Sequence, residues 1–213
     1  FKNKGGQYVH EQEVGVVCYF LSDSIKTGSL LDMPVGTGRL LPHLQVMGFR
    51  DIHGGDFSQS MLELCKNKFD STVKFSHQDA FNTTFEDNTF DAIVSLRFFF
   101  HYDDSIALLN ELNRITKPGG YVVLDTITWS PREWCGFFRT RLGGKLYTCP
   151  DSNFHQLLAE TGLEVVESKK ILMIPSFLYN FLPSILLPLI RVLEANLPSH
   201  FFTKTVWKLI SKP

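Results

Sequence analysis

Apolar residues fall at Val14, Val17, Cys18, Leu21 and Ile25, the i, i+3, i+4, i+7 spacing of an amphipathic helix packed on one face. Directly after it, residues 29–32 form a short apolar run ending in an acid, the pattern of a buried strand, and Leu40, Leu44 and Met47 resume helical spacing. The same alternation then recurs. It predicts a strand at 53–57 with a helix at 59–68, a strand at 73–77, a strand at 91–95 with a helix at 105–116, a strand at 121–125, a helix at 151–161 and a strand at 163–172. Strands and helices alternating in this way specify an α/β, doubly wound, mostly parallel sheet with helices on both faces. Pro118 should stop the preceding helix, and Gly119 and Gly120 allow a tight reversal. Near the end, Thr203, Thr205, Trp207 and Leu209 alternate with Lys204, Val206, Lys208 and Ile210, a period of two that predicts a final antiparallel strand with unlike faces, suited to the sheet edge.

One stretch breaks this rhythm. Residues 171–190 are twenty positions without a charged side chain, long enough to span a membrane. Pro175, Pro183 and Pro188 interrupt the run, and it lies between two predicted strands of one sheet, which argues against a span. The preferred reading is a helical apolar insertion at about 174–200 that roofs a pocket; the other is an exposed face meeting a lipid bilayer or a partner chain. Arg191, Glu194 and Asn196 restore polarity where the segment returns to solvent.

Size and charge narrow the picture. A chain of 213 residues suits one domain that buries roughly 70% of its unfolded surface. With 21 basic and 22 acidic residues the net charge is −1, so no field attracts a nucleic-acid backbone and no nucleic-acid partner is expected. Cys18, Cys65, Cys135 and Cys149 show neither metal-ligand nor dithiol spacing, so no metal is expected and the cysteines read as free thiols. That reading, and the lack of a leader-like succession at the start, predict a reducing, cytoplasmic setting.

The chemistry is concentrated at strand ends. Ser29-Leu-Leu-Asp-Met-Pro-Val-Gly-Thr-Gly-Arg39 runs from a strand through an acid into a glycine-bearing turn. Gly54-Gly-Asp-Phe-Ser58, Asp79-Ala80, Phe90-Asp-Ala-Ile-Val-Ser95 and Lys117-Pro-Gly-Gly120 follow in order. Gly36 and Gly38 let backbone approach a ligand closely, and Asp56, 18 residues after Gly38, sits near the spacing at which a carboxylate accepts adjacent ribose hydroxyls.

Over roughly 9–125 this ordered set resembles the class I S-adenosylmethionine-dependent methyltransferases, of the small-molecule, type 11-like kind. The resemblance implies a Rossmann-like seven-stranded sheet whose antiparallel last strand lies beside the fifth, within a single domain over 1–213, and a first helix covering part of the cofactor cleft. It implies S-adenosylmethionine as cofactor and S-adenosylhomocysteine as product. Asp32 would then engage the methionine ammonium, Asp56 the ribose, Asp79 and the Ala80 amide the adenine edge, with Phe57 or Phe81 as apolar walls and Ser95 and Leu96 at the methionine end. The family's loop carries a glycine where this chain has Pro34, which alters the first bend. An NAD-dependent oxidoreductase is the nearest competitor on the fold, but its third glycine is replaced by Leu41. A non-catalytic S-adenosylmethionine-binding regulatory module is the alternative from another class.

Methyl transfer from a sulfonium is an in-line displacement, so positioning supplies most of the catalysis. His101, in Arg97-Phe-Phe-Phe-His-Tyr102 beyond the fourth strand, is the candidate general base, with Arg97 and Tyr102 candidates for acceptor contact. Residues 126–147 mix aromatics, Trp129 among them, with Arg139 and Arg141, which suit an acceptor apolar at one end and anionic at the other. The 19 phenylalanines and the apolar segment favour a small hydrophobic metabolite: isoprenoid quinone precursors, lipids or polyketide-like compounds.

Overall fold

The computed structural model describes residues 3–23, 28–69, 71–133 and 145–212. Seven strands, β1 (Ser29–Asp32), β2 (Asp51–Asp56), β3 (Val73–His77), β4 (Phe90–Ser95), β5 (Thr116–Ile127), β6 (Leu163–Ile171) and β7 (Lys204–Ser211), form one sheet in the order β3-β2-β1-β4-β5-β7-β6. Neighbours from β3 to β5 are parallel, whereas β7 runs antiparallel to both β5 and β6.

Strand alternation sorts side chains into two apolar layers. Leu30, Val94, Val123 and Val206 face α1 (Lys4–Phe20), α2 (Leu41–Val46) and α3 (Gln59–Lys68). Their neighbours Leu31, Ile93, Val122, Leu124 and Trp207 face α4 (Ser105–Ile115) and α5 (Asp151–Ala159). Helix starts have local causes: the side chains of Asn3, Ser58 and Asp104 cap α1, α3 and α4 by accepting from backbone amides. The first helix thus begins well before Val14 and ends at Phe20; Ile25 lies outside the described residues.

Two expectations are corrected. The final strand is not an edge: β7 is buried along nearly its whole length between β5 and β6, and β6, with its exposed run, takes the edge. Lys204 and Lys208 read as edge polarity in sequence, but Lys204 is buried by an ion-pair cluster and Lys208 lies over the Tyr121 ring. Nor do the glycines after Pro118 make a separate reversal. Thr116 already pairs with Phe90, and Gly119, at φ +79°, lies within a register irregularity of β5.

The 171–190 segment does not form one long helix. It makes two short 3₁₀ turns, Leu178–Phe181 and Ser184–Leu186, and then enters α6 (Leu187–Asn196). Glu194 on α6 accepts hydrogen bonds from the Tyr8 hydroxyl (2.5 Å), the Tyr179 hydroxyl and the Met173 amide, which fastens this region to α1. Phe181, Ile185, Leu189, Val192 and Phe201 are left exposed. Among the described residues no helix is long and apolar enough to cross a membrane.

Candidate active site

Parallel strands deliver their carboxyl ends to one edge of the sheet, and loops there must diverge, leaving a crevice. The ends of β1, β2 and β3 line a cavity of about 380 Å³ bounded by Met33, Pro34, Asp56, Phe57, Ser58, Gln78, Asp79, Ala80, Phe81, Phe98 and Tyr102. One side is acidic and polar. The other is an aromatic wall in which Phe81 meets Tyr102 at 4.9 Å and Phe98 meets Tyr102 at 4.7 Å between ring centroids.

The turn after β1 is held by the end of β2. Asp56 accepts from the Gly36 amide and the Ser58 amide, both at 2.8 Å, so each carboxylate oxygen already anchors backbone and still has capacity to accept a further bond. Gly36 and Gly38 stand at φ +53° and +70°, a region that other residues enter only with strain. At Gly38 a Cβ would also lie 2.4 Å from the Phe69 ring, so a side chain there would be strained and would have to displace that ring. The loop's first bend is made at a cis Met33–Pro34 peptide bond, and the Val35 amide donates to the Gly55 carbonyl at 2.8 Å.

Asp32, last residue of β1, is fully buried, and its Oδ2 has no hydrogen-bond partner. Burial raises its pKa, nearby Asp56 adds to the rise and Arg39 opposes it, leaving the carboxyl at about 8. A buried acid without a partner is costly in an isolated fold and becomes favourable when a cation arrives beside it.

Behind Asp32 lies a cluster of buried charges. Glu13 of α1 is fully buried and contacts Arg39 Nη1 at 3.0 Å, Arg97 Nη2 at 2.8 Å and Lys204 Nζ at 2.5 Å. Burial alone would raise Glu13, but Lys204, Arg39 and Arg97 outweigh it and hold the carboxyl down to about 2. Asp125, at the end of β5, pairs with Lys204 and accepts from the Arg97 amide at 2.7 Å.

A family profile described as a methyltransferase domain matches residues 31–124. That match, which spans under half of the chain, makes this region similar to methyltransferase domains. The demethylmenaquinone methyltransferase of Staphylococcus saprophyticus is 38% identical over 105 residues, which cover 47% of this chain and 45% of that protein. A ubiquinone/menaquinone biosynthesis C-methyltransferase of Desulfotalea psychrophila is 38% identical over 108 residues, 46% of this chain and 42% of that one. The chain therefore spans under half the length of those curated relatives. In fold it is similar to the geranyl diphosphate C-methyltransferase of Streptomyces coelicolor, solved with Mg2+, geranyl diphosphate and S-adenosyl-L-homocysteine, at a TM-score of 0.72 and 15% identity over 96% of this chain and 81% of that one.

Of the residues singled out in sequence, the fold gathers Pro34, Asp56, Phe57, Asp79, Ala80, Phe81 and Tyr102 around the cavity, whereas Asp32, Gly36 and Gly38 are not part of its lining. Asp79 is exposed and accepts from the Phe81 amide at 3.0 Å, while the Ala80 amide lies beside it at the same bend. Phe57 is 69% exposed, its ring 5.3 Å from His77, and stands at the rim. Ser95 and Leu96 are buried at the end of β4 and do not line this cavity.

Three acceptor-side expectations land differently. His101 does not line the cavity; it ends the 3₁₀ turn Phe99–His101 with its ring 4.7 Å from Phe100. Desolvation and the charge of Arg132 lower its pKa, and Asp125 opposes them, so its neutral form is favoured. The Arg97 guanidinium is committed to Glu13, and Trp129 stands partly exposed beyond β5, away from the cavity lining. Arg139 and Arg141 lie outside the described residues.

Sequence reading missed Glu13, Arg39, Lys204 and Asp125. A signal existed at Glu13, which sits four residues from both Val9 and Val17 on the buried stripe of α1, where an acid needs an internal partner.

Proposed function

We propose that this chain methylates a small, largely apolar acceptor from S-adenosylmethionine. The observation that carries the reading is one crevice that joins the carboxylates of Asp56 and Asp79, at the ends of β2 and β3, to an aromatic wall of Phe81, Phe98 and Tyr102. When bound, S-adenosylmethionine supplies an electrophilic methyl group on a sulfonium.

The residues present fit that cofactor. Asp32, next to Met33 of the lining and with its buried Oδ2 unpartnered, suits its ammonium, Asp56 has acceptor capacity left for the ribose hydroxyls, and Asp79 with the Ala80 amide offers an acceptor and a donor to the adenine edge. Ser95 and Leu96 belong to the methionine end in this reading, behind the cavity proper. The aromatic wall would orient the acceptor and exclude water, so that approach along the methyl–sulfur axis supplies most of the rate.

The acceptor class proposed is a quinone precursor or an isoprenoid. The names of the two relatives, which refer to quinones, support it, as does the apolar wall. The test is transfer of a labelled methyl group into organic-soluble product across a panel of quinol, isoprenoid and fatty acceptors. Label in one class, with Tyr102→Ala raising the acceptor KM about tenfold, is the expected result. Bound cofactor without turnover on any acceptor would instead favour a regulatory binding module.

We also propose that Phe181, Ile185, Leu189, Val192 and Phe201 meet a lipid surface, where an apolar acceptor would be concentrated. The wild-type protein should co-sediment with anionic phospholipid vesicles and an Ile185→Asp, Leu189→Asp variant should not. Equal sedimentation of the two would contradict this contact.

A further inference from the structure

The two segments assigned to the methionine end of the cofactor share one buried anchor. Arg39 immediately follows Gly38 in the turn after β1, and Arg97 immediately follows Leu96 at the end of β4. Both guanidinium groups converge on the carboxylate of Glu13, which reaches them from α1. Arg97 grips it with two nitrogens, Nε at 2.9 and 3.0 Å from the two oxygens and Nη2 at 2.8 Å. Arg39 also contacts His10 Nδ1 of α1 at 3.1 Å.

The backbone shows that this grip holds a strained conformation. Arg97 sits at φ +60°, which a non-glycine residue adopts only when its surroundings impose it. Two restraints act here: the Arg97 amide donates to Asp125 Oδ1 at 2.7 Å, and Glu13 holds the side chain. The next residue, Phe98, begins the aromatic wall. The same carboxylate therefore sets the turn beside Asp32 and the turn between Leu96 and Phe98.

From this convergence we infer that Glu13 is a positioning residue: by tying Arg39 and Arg97 to α1, it sets the methionine end of the cofactor site without touching the reacting atoms. The inference rests on the cofactor assignment above. It differs from a general packing role because the adenosine end of the site is built by Asp56, Asp79 and Ala80, whose anchors are Gly36, Ser58 and Phe81 rather than Glu13.

The test compares adenosine with S-adenosylhomocysteine by calorimetry on the wild type, Glu13→Gln and Arg97→Gly. Glycine accepts the positive φ without strain, so Arg97→Gly removes the grip while sparing the backbone conformation. In both variants S-adenosylhomocysteine should bind at least about tenfold more weakly, with adenosine affinity held within about twofold. Retained adenosine binding also reports that the variant is folded; if Glu13→Gln fails that check, Arg97→Gly decides alone. Unchanged S-adenosylhomocysteine binding in a folded variant, or equal weakening of both ligands, overturns the positioning role. A wild type that binds neither ligand would instead overturn the cofactor assignment.

Discussion

Asp32→Asn is expected to weaken S-adenosylhomocysteine binding by about a hundredfold, or about 2.7 kcal/mol, while making the ligand-free protein more stable at alkaline pH. The two effects share one cause. Asp32 is fully buried, its Oδ2 lacks a partner, and its carboxyl titrates at about 8 in the folded state against 3.8 as the ordinary value. A folded-state pKa raised above the unfolded one means that the native protein holds the proton more tightly. That stabilisation is complete below about pH 4 and is lost as pH rises toward 8. Asparagine carries no charge to desolvate, so the variant should gain on the wild type across this window and keep a constant advantage above it. It also cannot neutralise an ammonium. Denaturant unfolding of both proteins at pH 5 and pH 9, with calorimetry for the ligand, checks both halves. Parallel stability at the two pH values would mean that Asp32 already has a compensating cation in the free protein.

Asp56→Ala should cost affinity for adenosine and S-adenosylhomocysteine alike, again by about a hundredfold, since it removes a charged acceptor for two hydroxyls. Its cost extends to the fold. The Gly36 and Ser58 amides, each now 2.8 Å from a carboxylate oxygen, lose their acceptor, and the glycine turn is released from the end of β2. About 1–3 kcal/mol of stability should go with them, softened where water reaches the amides. Asp56→Asn keeps one acceptor oxygen and turns an amide donor toward a backbone donor, so it should fall between wild type and alanine on both measures. The contrast with Glu13→Gln is informative, because only the Asp56 variants should lose adenosine. Calorimetric titration with both ligands separates the cases, and an Asp56→Ala protein that binds adenosine as tightly as wild type would remove Asp56 from the ribose site.

What could be read in the sequence follows from how local each cause is. Strand and helix alternation, the acid at Asp32 and the glycine turn are properties of short windows, and the seven-stranded sheet carries them where the pattern puts them. The placement of β7 inside the sheet came from family resemblance, whereas its own two-faced pattern pointed to an edge. That pattern misled because Lys204 is buried by Glu13, 191 residues away, a pairing no local window contains. The same distance hid the role of α1, where Glu13 looked like one more polar helix position. His101 stands outside the cavity lining for a different reason. Residence beyond β4 was correctly read, but the short 3₁₀ turn that presents Phe98 and Tyr102 to the cavity and leaves His101 outside it has no clear sequence signature. The 171–190 segment was legible as apolar and non-spanning, and its prolines open the turns at Ser184 and Leu187, yet its exposed face is set by how Glu194 docks α6 on α1.

Binding of S-adenosylmethionine in the crevice is measured by thermal unfolding of the wild-type protein with S-adenosylmethionine, S-adenosylhomocysteine and NADH in parallel. A ligand at a hundred times its dissociation constant adds about 2.7 kcal/mol to the native state, which raises Tm by about 5–10 °C for a chain of this size. Such a rise with the first two ligands and none with NADH is the predicted result. No rise with either sulfur ligand, or a rise with NADH alone, would mean that the crevice does not hold S-adenosylmethionine.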